Sequence, residues 1–340
     1  MQLRGSAKAL GDALAVLLVL VLPGCTPPLA LDPQSPQGRA VAGLIWWFTG
    51  LCTVIWILVL LGLAFAIWRP RLVPADPLAL DQRAERRSGR VVAVLIGLTG
   101  IIVIGLTVLS FAAQRQLFEP ADGALTIDIV GHQWWWEVVY NSPDSSQTLT
   151  TANEIHVPIG RPVTLDLTSN DVIHSFWVPS LMGKADLIPG RHNDLTFTAE
   201  KPGIYNGSCA EFCGMQHAHM GIRVIAETPS DFEAWRRQQL RSAAPPASES
   251  AKRGEALFES SACAFCHNVS GTPASGQVGP DLTHLASRSS LAAGTLPFGR
   301  GQLAAWIADP QGIKPGAQMP DVRLAPDQLN AMLDYLMGLK

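Results

Sequence analysis

The chain has 340 residues, room for two or three domains. Only 16% of them are charged and mean hydropathy is positive, which excludes a wholly water-soluble chain and assigns part of it to lipid. A formal net charge of −3 offers no basic balance for holding nucleic acid.

The first apolar block follows Arg4 and Lys8, covers residues 13–22 and ends at Leu22-Pro23-Gly24-Cys25. So short a block cannot span a bilayer, and residues 1–24 read as a signal peptide rather than an anchor. The closing residues resemble a bacterial lipoprotein cleavage box, which implies lipidation of Cys25 as the first mature residue; an ordinary signal peptide with an incidental cysteine is the alternative. The chain is uncharged between Arg39 and Arg69 and again over residues 91–113. Both stretches can cross a bilayer, predicting a transmembrane hairpin within residues 40–113, with spans at 44–68 and 91–113. The loop between them carries Arg69, Arg71, Arg83, Arg86, Arg87 and Arg90, against only Arg39 and Arg115 on the flanks. Positive charge stays inside, so the loop is cytoplasmic, and the N-terminus and everything beyond Gln114 lie outside a bacterial cytoplasmic membrane. Trp46, Trp47 and Trp68 near the ends of the first span suit the interface.

Residues 114–228 form the next unit. Short runs alternate with turns: LTIDIVG, QWWWEVVY, EIHVPIG, PVTLDLTS, NDLTFTA, GIYNGS and GIRVIAE, punctuated by segments such as Asn141-Ser142-Pro143-Asp144. Period-two alternation predicts an antiparallel β-sandwich. Residues 209–220 read CAEFCGMQHAHM and, with His174 upstream, supply two thiolates, two imidazoles and a thioether. Thiolate and thioether are soft ligands, imidazole is comfortable with copper, and methionine recurs as a weak axial partner at electron-transfer copper sites. The set therefore suits copper, with a Cys209–Cys213 disulfide or a zinc site as the bland readings.

Residues 229–250 are a short helix and a linker. Ser230 and Glu233 make a capping-box pattern ahead of Phe232, Trp235 and Leu240, and RSAAPPASES is poor in apolar side chains. Residues 251–340 open a third unit with Cys263-Ala264-Phe265-Cys266-His267, the c-type haem attachment pattern. Two thiols add across the porphyrin vinyl groups, and the adjacent histidine is thereby placed under the iron. Met332 and Met337 fall on a helical stripe with Leu329, Leu333 and Leu336 and read as core, leaving Met319 in the loop KPGAQMP as the second axial ligand. That loop, Gly279-Pro280-Asp281-Leu282 and Trp306 resemble class I cytochromes c, a fold of three or more small helices around haem.

The copper stretch, DVIHSFWVPSLMGKADLIPGR at residues 171–191 and GHQWWWEVVY at 131–140 together resemble cytochrome c oxidase subunit II. The resemblance implies a cupredoxin-like Greek-key domain behind a two-helix transmembrane hairpin. It also implies a dinuclear CuA centre bridged by Cys209 and Cys213, with His174 and His217 as terminal ligands, completed by Met220 and the carbonyl of Glu211. The Glu211 side chain is further implied to reach a magnesium ion shared with the catalytic subunit, and Trp134 to be where electrons pass into copper. Trp135 and Trp136 alternate faces and include core. Asp171 is a candidate support for the ligand segment; His132, His156, His192, His219 and His284 are expected outside the metal sites, His219 being the one rival. One departure concerns protons: residues 91–113 hold no ionisable side chain, Glu85 lies among arginines, and no proton-channel residue is assigned.

Residues 114–241 carry 9 basic and 15 acidic side chains, residues 251–340 7 of each, so the copper unit is acidic and the cytochrome neutral. A flexible tether would hold the two at an effective concentration on the order of millimolar, making electrostatic steering between them unnecessary. The chain is thus expected to be a proton-pumping oxidase's electron-input subunit of caa type, partnered by oxidase subunits I and III and by a donor such as cytochrome c or a cytochrome bc complex. The alternatives are the CuA subunit of a nitric oxide reductase and a membrane-tethered copper-delivery protein.

Overall fold

A computed structural model describes residues 30–69, 82–118 and 121–340; Cys25 and the predicted signal segment lie outside them. Two helices, α1 (Pro36–Trp68) and α2 (Gln82–Phe118), are long and apolar enough to cross a membrane. Both exceed the predicted spans. Arg83, Arg86, Arg87 and Arg90 sit in the first turns of α2 rather than in a loop, where long side chains can keep their charge in water while their stems follow the helix.

The start of α1 is fastened to the β-domain. The Ser35 hydroxyl accepts from Gly38 N at 2.8 Å as the N-cap and donates to the Leu181 carbonyl. Gln34 N donates to Ser180 O (2.7 Å), Glu200 N donates to Gln34 O (3.1 Å), and the Arg39 guanidinium pairs with the Glu200 carboxylate. The ion pair is exposed and screened by solvent; the buried cap and backbone bonds set the geometry.

The β-domain has ten strands: β1 Leu125–His132, β2 Trp135–Tyr140, β3 Leu149–Ala152, β4 Glu154–Pro158, β5 Val163–Ser169, β6 His174–Trp177, β7 Ala185–Leu187, β8 Asn193–Phe197, β9 Gly203–Cys209 and β10 Gly221–Glu227. They form two five-stranded sheets, ordered β3-β2-β1-β5-β8 and β4-β10-β9-β6-β7. Strict alternation in β1, β5 and β10 sends Ile127, Ile129, Leu165, Leu167, Ile222 and Val224 between the sheets. Each such aliphatic side chain contributes about 1.5–3 kcal/mol on burial. The sandwich is mixed rather than wholly antiparallel, because β1 runs parallel to β5 and β4 parallel to β10. Strands β3, β6 and β7, absent from the predicted runs, are four residues or fewer and too short to display a period.

Helix α3 (Pro229–Gln239) has its N-cap two residues before the Ser230 that its capping-box pattern predicts. Thr228 is the N-cap, accepting from Asp231 N, with Pro229 at the first helical position, where its missing N–H is no loss. Phe232 and Trp235 cover the sandwich end beside Tyr140. The start of the following segment is fastened to the C-terminal unit instead of swinging free: His284 Nε2 donates to Arg241 O (3.0 Å) and Ala243 N to Ser270 O (2.9 Å). The C-terminal unit consists of α4 (Glu249–Ser260), α5 (Cys263–Cys266), α6 (Arg300–Ala308), α7 (Pro310–Ile313) and α8 (Pro326–Leu336). Helices α4 and α8 pack through Phe258 and Tyr335, ring centroids 5.7 Å apart, and Ser250 donates to Asp334 at 2.6 Å.

Candidate metal centres

Sequence-distant ligands meet because β6 and β9 are neighbours. Phe176 pairs with Cys209, and Ala210 N donates to Ser175 O (2.9 Å), so His174 at the head of β6 faces the thiol that ends β9. The loop from β9 to β10 is closed by Cys209 N donating to Met220 O (2.9 Å). Inside it Cys209 Sγ lies 3.8 Å from Cys213 Sγ. His174 Nδ1 is 3.9 Å from Cys209 Sγ, His217 Nδ1 3.7 Å from Cys213 Sγ, Met220 Sδ 3.9 Å from Cys213 Sγ, and the Glu211 carbonyl 3.2 Å from Cys209 Sγ. Among the described residues, His174, Cys209 and Cys213 are the only His, Cys or acidic cluster with donor atoms close enough for a metal ion. The donor set is soft, buried and convergent, and it fits copper.

The neighbouring Cys213 thiol, with His174 and backbone amides, favours the Cys209 thiolate, while the same partner and burial push Cys213 upward. Burial would lower His174, but the Cys209 sulfur and the Asp171 carboxylate raise it.

Asp171 does what its place beside the ligand segment suggested. Its Oδ1 is 2.8 Å from His174 Nε2 and accepts from Val172 N (2.6 Å), while Oδ2 accepts from Gln133 N (2.6 Å). A carboxylate on the far nitrogen fixes the tautomer and leaves Nδ1 for a metal. Gly131 on β1 is the other support: an added Cβ would lie 2.7 Å from His174 Cδ2, so only glycine leaves room for the ring. Trp136 is fully buried edge-on to His174, while Trp135 stacks on His132 outside the core, which is the alternation expected of them.

Trp134 is 7% exposed, so it does not stand at an open surface. Its Nε1 donates to Cys213 O (3.0 Å), beside Gln133 Nε2 donating to the same carbonyl (2.7 Å), and the C-terminal unit covers it. The Glu211 carboxylate points outward, 3.7 Å from Lys184 Nζ. His219 Nδ1 turns away from the thiols to Gln216 Oε1 (2.7 Å). His132, His156 and His192 pair with Glu137, Glu227 and Asp166, and His284 with Arg241 O, leaving these four outside the ligand cluster.

The second centre is a largely apolar cleft of about 1360 Å³, open mouth included, between α5, α6, α8 and the β-domain. Cys263, Cys266, His267 and Met319 all border it; Met332 also reaches its wall while belonging to the core. His267 Nδ1 donates to Pro280 O (2.7 Å), leaving Nε2 available, and burial lowers its pKa, favouring the neutral ligand form. Gly279 has no room for a side chain, since a Cβ would sit 2.7 Å from His267 Cε1. Gln311 Nε2 donates to Ala317 O and Met319 O (2.8 and 2.7 Å), pinning the methionine loop. Arg288 borders the cleft with a buried Nε that has no partner, as expected where a large acidic prosthetic group belongs. The residues fit covalently bound haem.

Sequence reasoning did not single out Gly131, Gln133, Arg288 or Lys314. Lys314 is buried, donates to Trp134 O (2.7 Å) and Ala292 O (3.1 Å), and is lowered to about 7 by burial. Only its presence in KPGAQMP marked it.

Residues 125–227 match the family described as cytochrome C oxidase subunit II, periplasmic domain, and residues 251–340 the family described as cytochrome c. Cytochrome c oxidase subunit 2 of Alkalihalophilus pseudofirmus is 31% identical over 337 residues, covering 95% of this chain and 95% of the relative. Its counterpart in Bacillus subtilis is 29% identical over 350 residues, covering 96% of each. Among solved structures, the periplasmic domain of subunit II of cytochrome oxidase of Bradyrhizobium japonicum is 33% identical, with a TM-score of 0.33, covering 36% of this chain and 96% of that one.

Proposed function

This chain belongs to the cytochrome c oxidase subunit 2 family, and from that premise we propose that it takes electrons from an external donor and hands them, through covalent haem c and CuA, to a catalytic subunit that reduces O2 to water. The observation that carries this reading is the meeting of two ligand sets in one chain: Trp134 borders the cleft of Cys263, Cys266, His267 and Met319 and donates to the carbonyl of Cys213.

Copper and haem, when bound, supply one-electron exchange. The chain's own residues hold the geometry constant while charge changes. Cys209 and Cys213 are pinned by paired strands, His174 by Asp171, and Met319 by Gln311. Two sulfurs 3.8 Å apart, each with its own imidazole, favour a pair of copper ions over one. Met220 and the Glu211 carbonyl would complete that pair. The outward Glu211 carboxylate suits a magnesium ion shared with the catalytic subunit.

As a subunit of a haem-copper oxidase, the protein sits in a membrane through α1 and α2. Arginines at the start of α2 support a cytoplasmic connection in a bacterial inner membrane, with both metal units outside. A Cys25 lipid anchor, a subunit III partner, a cytochrome c or bc donor, proton pumping, and the organisation into signal segment, hairpin, CuA unit, linker and cytochrome belong to the same proposal.

The test is purification from membranes, with mass spectrometry of co-isolating chains, metal analysis and oxygen uptake. The expected outcome is co-isolation with a catalytic subunit, copper and haem iron at 2:1 on this chain, and oxygen uptake abolished by Cys209→Ser while haem stays attached. Isolation alone with full copper would favour copper delivery, and nitric oxide turnover in place of oxygen uptake would favour the reductase.

A further inference from the structure

The loop that carries Met319 is bolted to the β-domain at two points, one on the copper loop and one on the turn between β1 and β2. Gln216, next to His217, donates through Nε2 to Pro315 O at 2.9 Å, and Lys314 Nζ donates to Trp134 O at 2.7 Å. Lysine is almost never fully buried, because removing an ammonium from water is costly without compensating bonds, yet Lys314 is 3% exposed. Its hydrogen-bond acceptors are two carbonyls, one from each unit: Trp134 O and Ala292 O.

The turn that presents Ala292 O is itself strained. Ala292 and Ala293 have φ of 51° and 57°, in the left-handed region that a residue with a Cβ rarely adopts. In that conformation Ala292 O meets Lys314, and Ala293 O accepts from Gly221 N of β10 at 2.8 Å. Nearby, the buried Glu154 carboxylate of β4 accepts from Ser289 N (2.9 Å), and Arg223 donates to Ser289 Oγ (2.6 Å). A cytochrome that met copper by random encounter on a tether would gain nothing from a buried lysine and a strained turn at the contact.

We propose that Lys314 is a positioning residue that locks the Met319 loop onto Trp134, so that electrons pass from haem to copper within one fixed arrangement of the two units rather than through repeated tethered collisions. This rests on the copper and haem reading above. The mechanism is geometric. Trp134 is held on one side by Cys213 O and on the other by Lys314, and loss of the second bond loosens the seat of the Met319 loop on Trp134 while the other contacts between the units stay.

The test uses the intact oxidase complex. A photoexcited ruthenium complex reduces haem in a flash, and the following haem-to-copper transfer is timed against solvent viscosity and salt. The wild-type rate is expected to be unimolecular and insensitive to both. Lys314→Met, similar in length but unable to donate, should slow transfer roughly tenfold or more and make it viscosity-dependent. Haem and copper content, spectra and potentials should stay unchanged. Lys314→Gln, whose carboxamide can still donate to Trp134 O, should recover part of the rate. An unchanged rate in Lys314→Met, or a Gln variant as slow as the Met variant, overturns the proposal. If Lys314→Met fails to assemble, the wild-type protein decides: a rate that falls as viscosity rises means tethered encounter. A wild-type chain lacking copper or haem would instead count against the function proposed above.

Discussion

Gly131→Ala tests whether the copper site depends on the close approach of β1. The new Cβ would stand 2.7 Å from His174 Cδ2 and 3.1 Å from Cγ, whereas carbon atoms normally rest about 3.5–4.0 Å apart. The ring must retreat by about 1 Å. It is fully buried, its Nε2 is tied to Asp171 at 2.8 Å, and Trp136 lies edge-on beside it, so retreat means breaking the Asp171 bond or moving Nδ1 relative to Cys209 Sγ. Overpacking of this kind costs about 1–3 kcal/mol. If that cost falls on the metal-bound geometry, copper affinity drops roughly 5- to 150-fold. The assay is the copper-to-iron ratio of the purified complex, with the mixed-valence paramagnetic signal as readout and the haem c spectrum as internal control. Copper content and signal equal to wild type, with haem intact, would refute the argument that His174 is fixed by the absence of a side chain at 131.

The same logic gives sharper contrasts elsewhere. Asp171→Asn keeps the shape but loses the carboxylate on His174 Nε2, and a loss of about 10- to 100-fold in copper affinity is expected by titration with a competing chelator. Met319→Ala should leave haem covalently attached through Cys263 and Cys266 while its potential drops and donor oxidation slows; unchanged redox behaviour would remove Met319 from the ligand set. Gly279→Ala places a Cβ against His267, and the expected outcome is perturbed axial ligation in the haem spectrum with the copper signal unaffected. Stripping copper with a chelator should lower the unfolding temperature of the β-domain, since the metal binds only the folded arrangement, and leave the haem spectrum in place.

The division between what residues declare and what folding assembles follows the reach of each interaction. Motifs whose chemistry is local could be read directly. Cys209, Cys213, His217 and Met220 fall within one loop, Cys263, Cys266 and His267 within one short stretch, and the apolar spans need only length. Strands β1, β5 and β10 were equally legible because their alternation extends over seven or eight residues. Where pairing rather than period decides, the sequence was mute. The three shortest strands escaped notice, and the parallel partnerships of β1 with β5 and β4 with β10 depend on which edges meet.

His174 marks the boundary between the two kinds of information. Resemblance pointed to it, but only the β6–β9 pairing sets its Nδ1 beside Cys209, and only an empty position at Gly131 leaves room for the ring. The linker shows the opposite limit: composition suggested a free tether, while Lys314, Gln216, Arg223 and Ser289 are ordinary polar residues whose bonds exist only once the units touch. A candidate ligand set is legible in the chain because a metal selects side chains by softness and charge. Ligand orientation, and the seating of one redox unit on the other, arose from tertiary structure because hydrogen bonds and close contacts depend on positions that no single segment fixes alone.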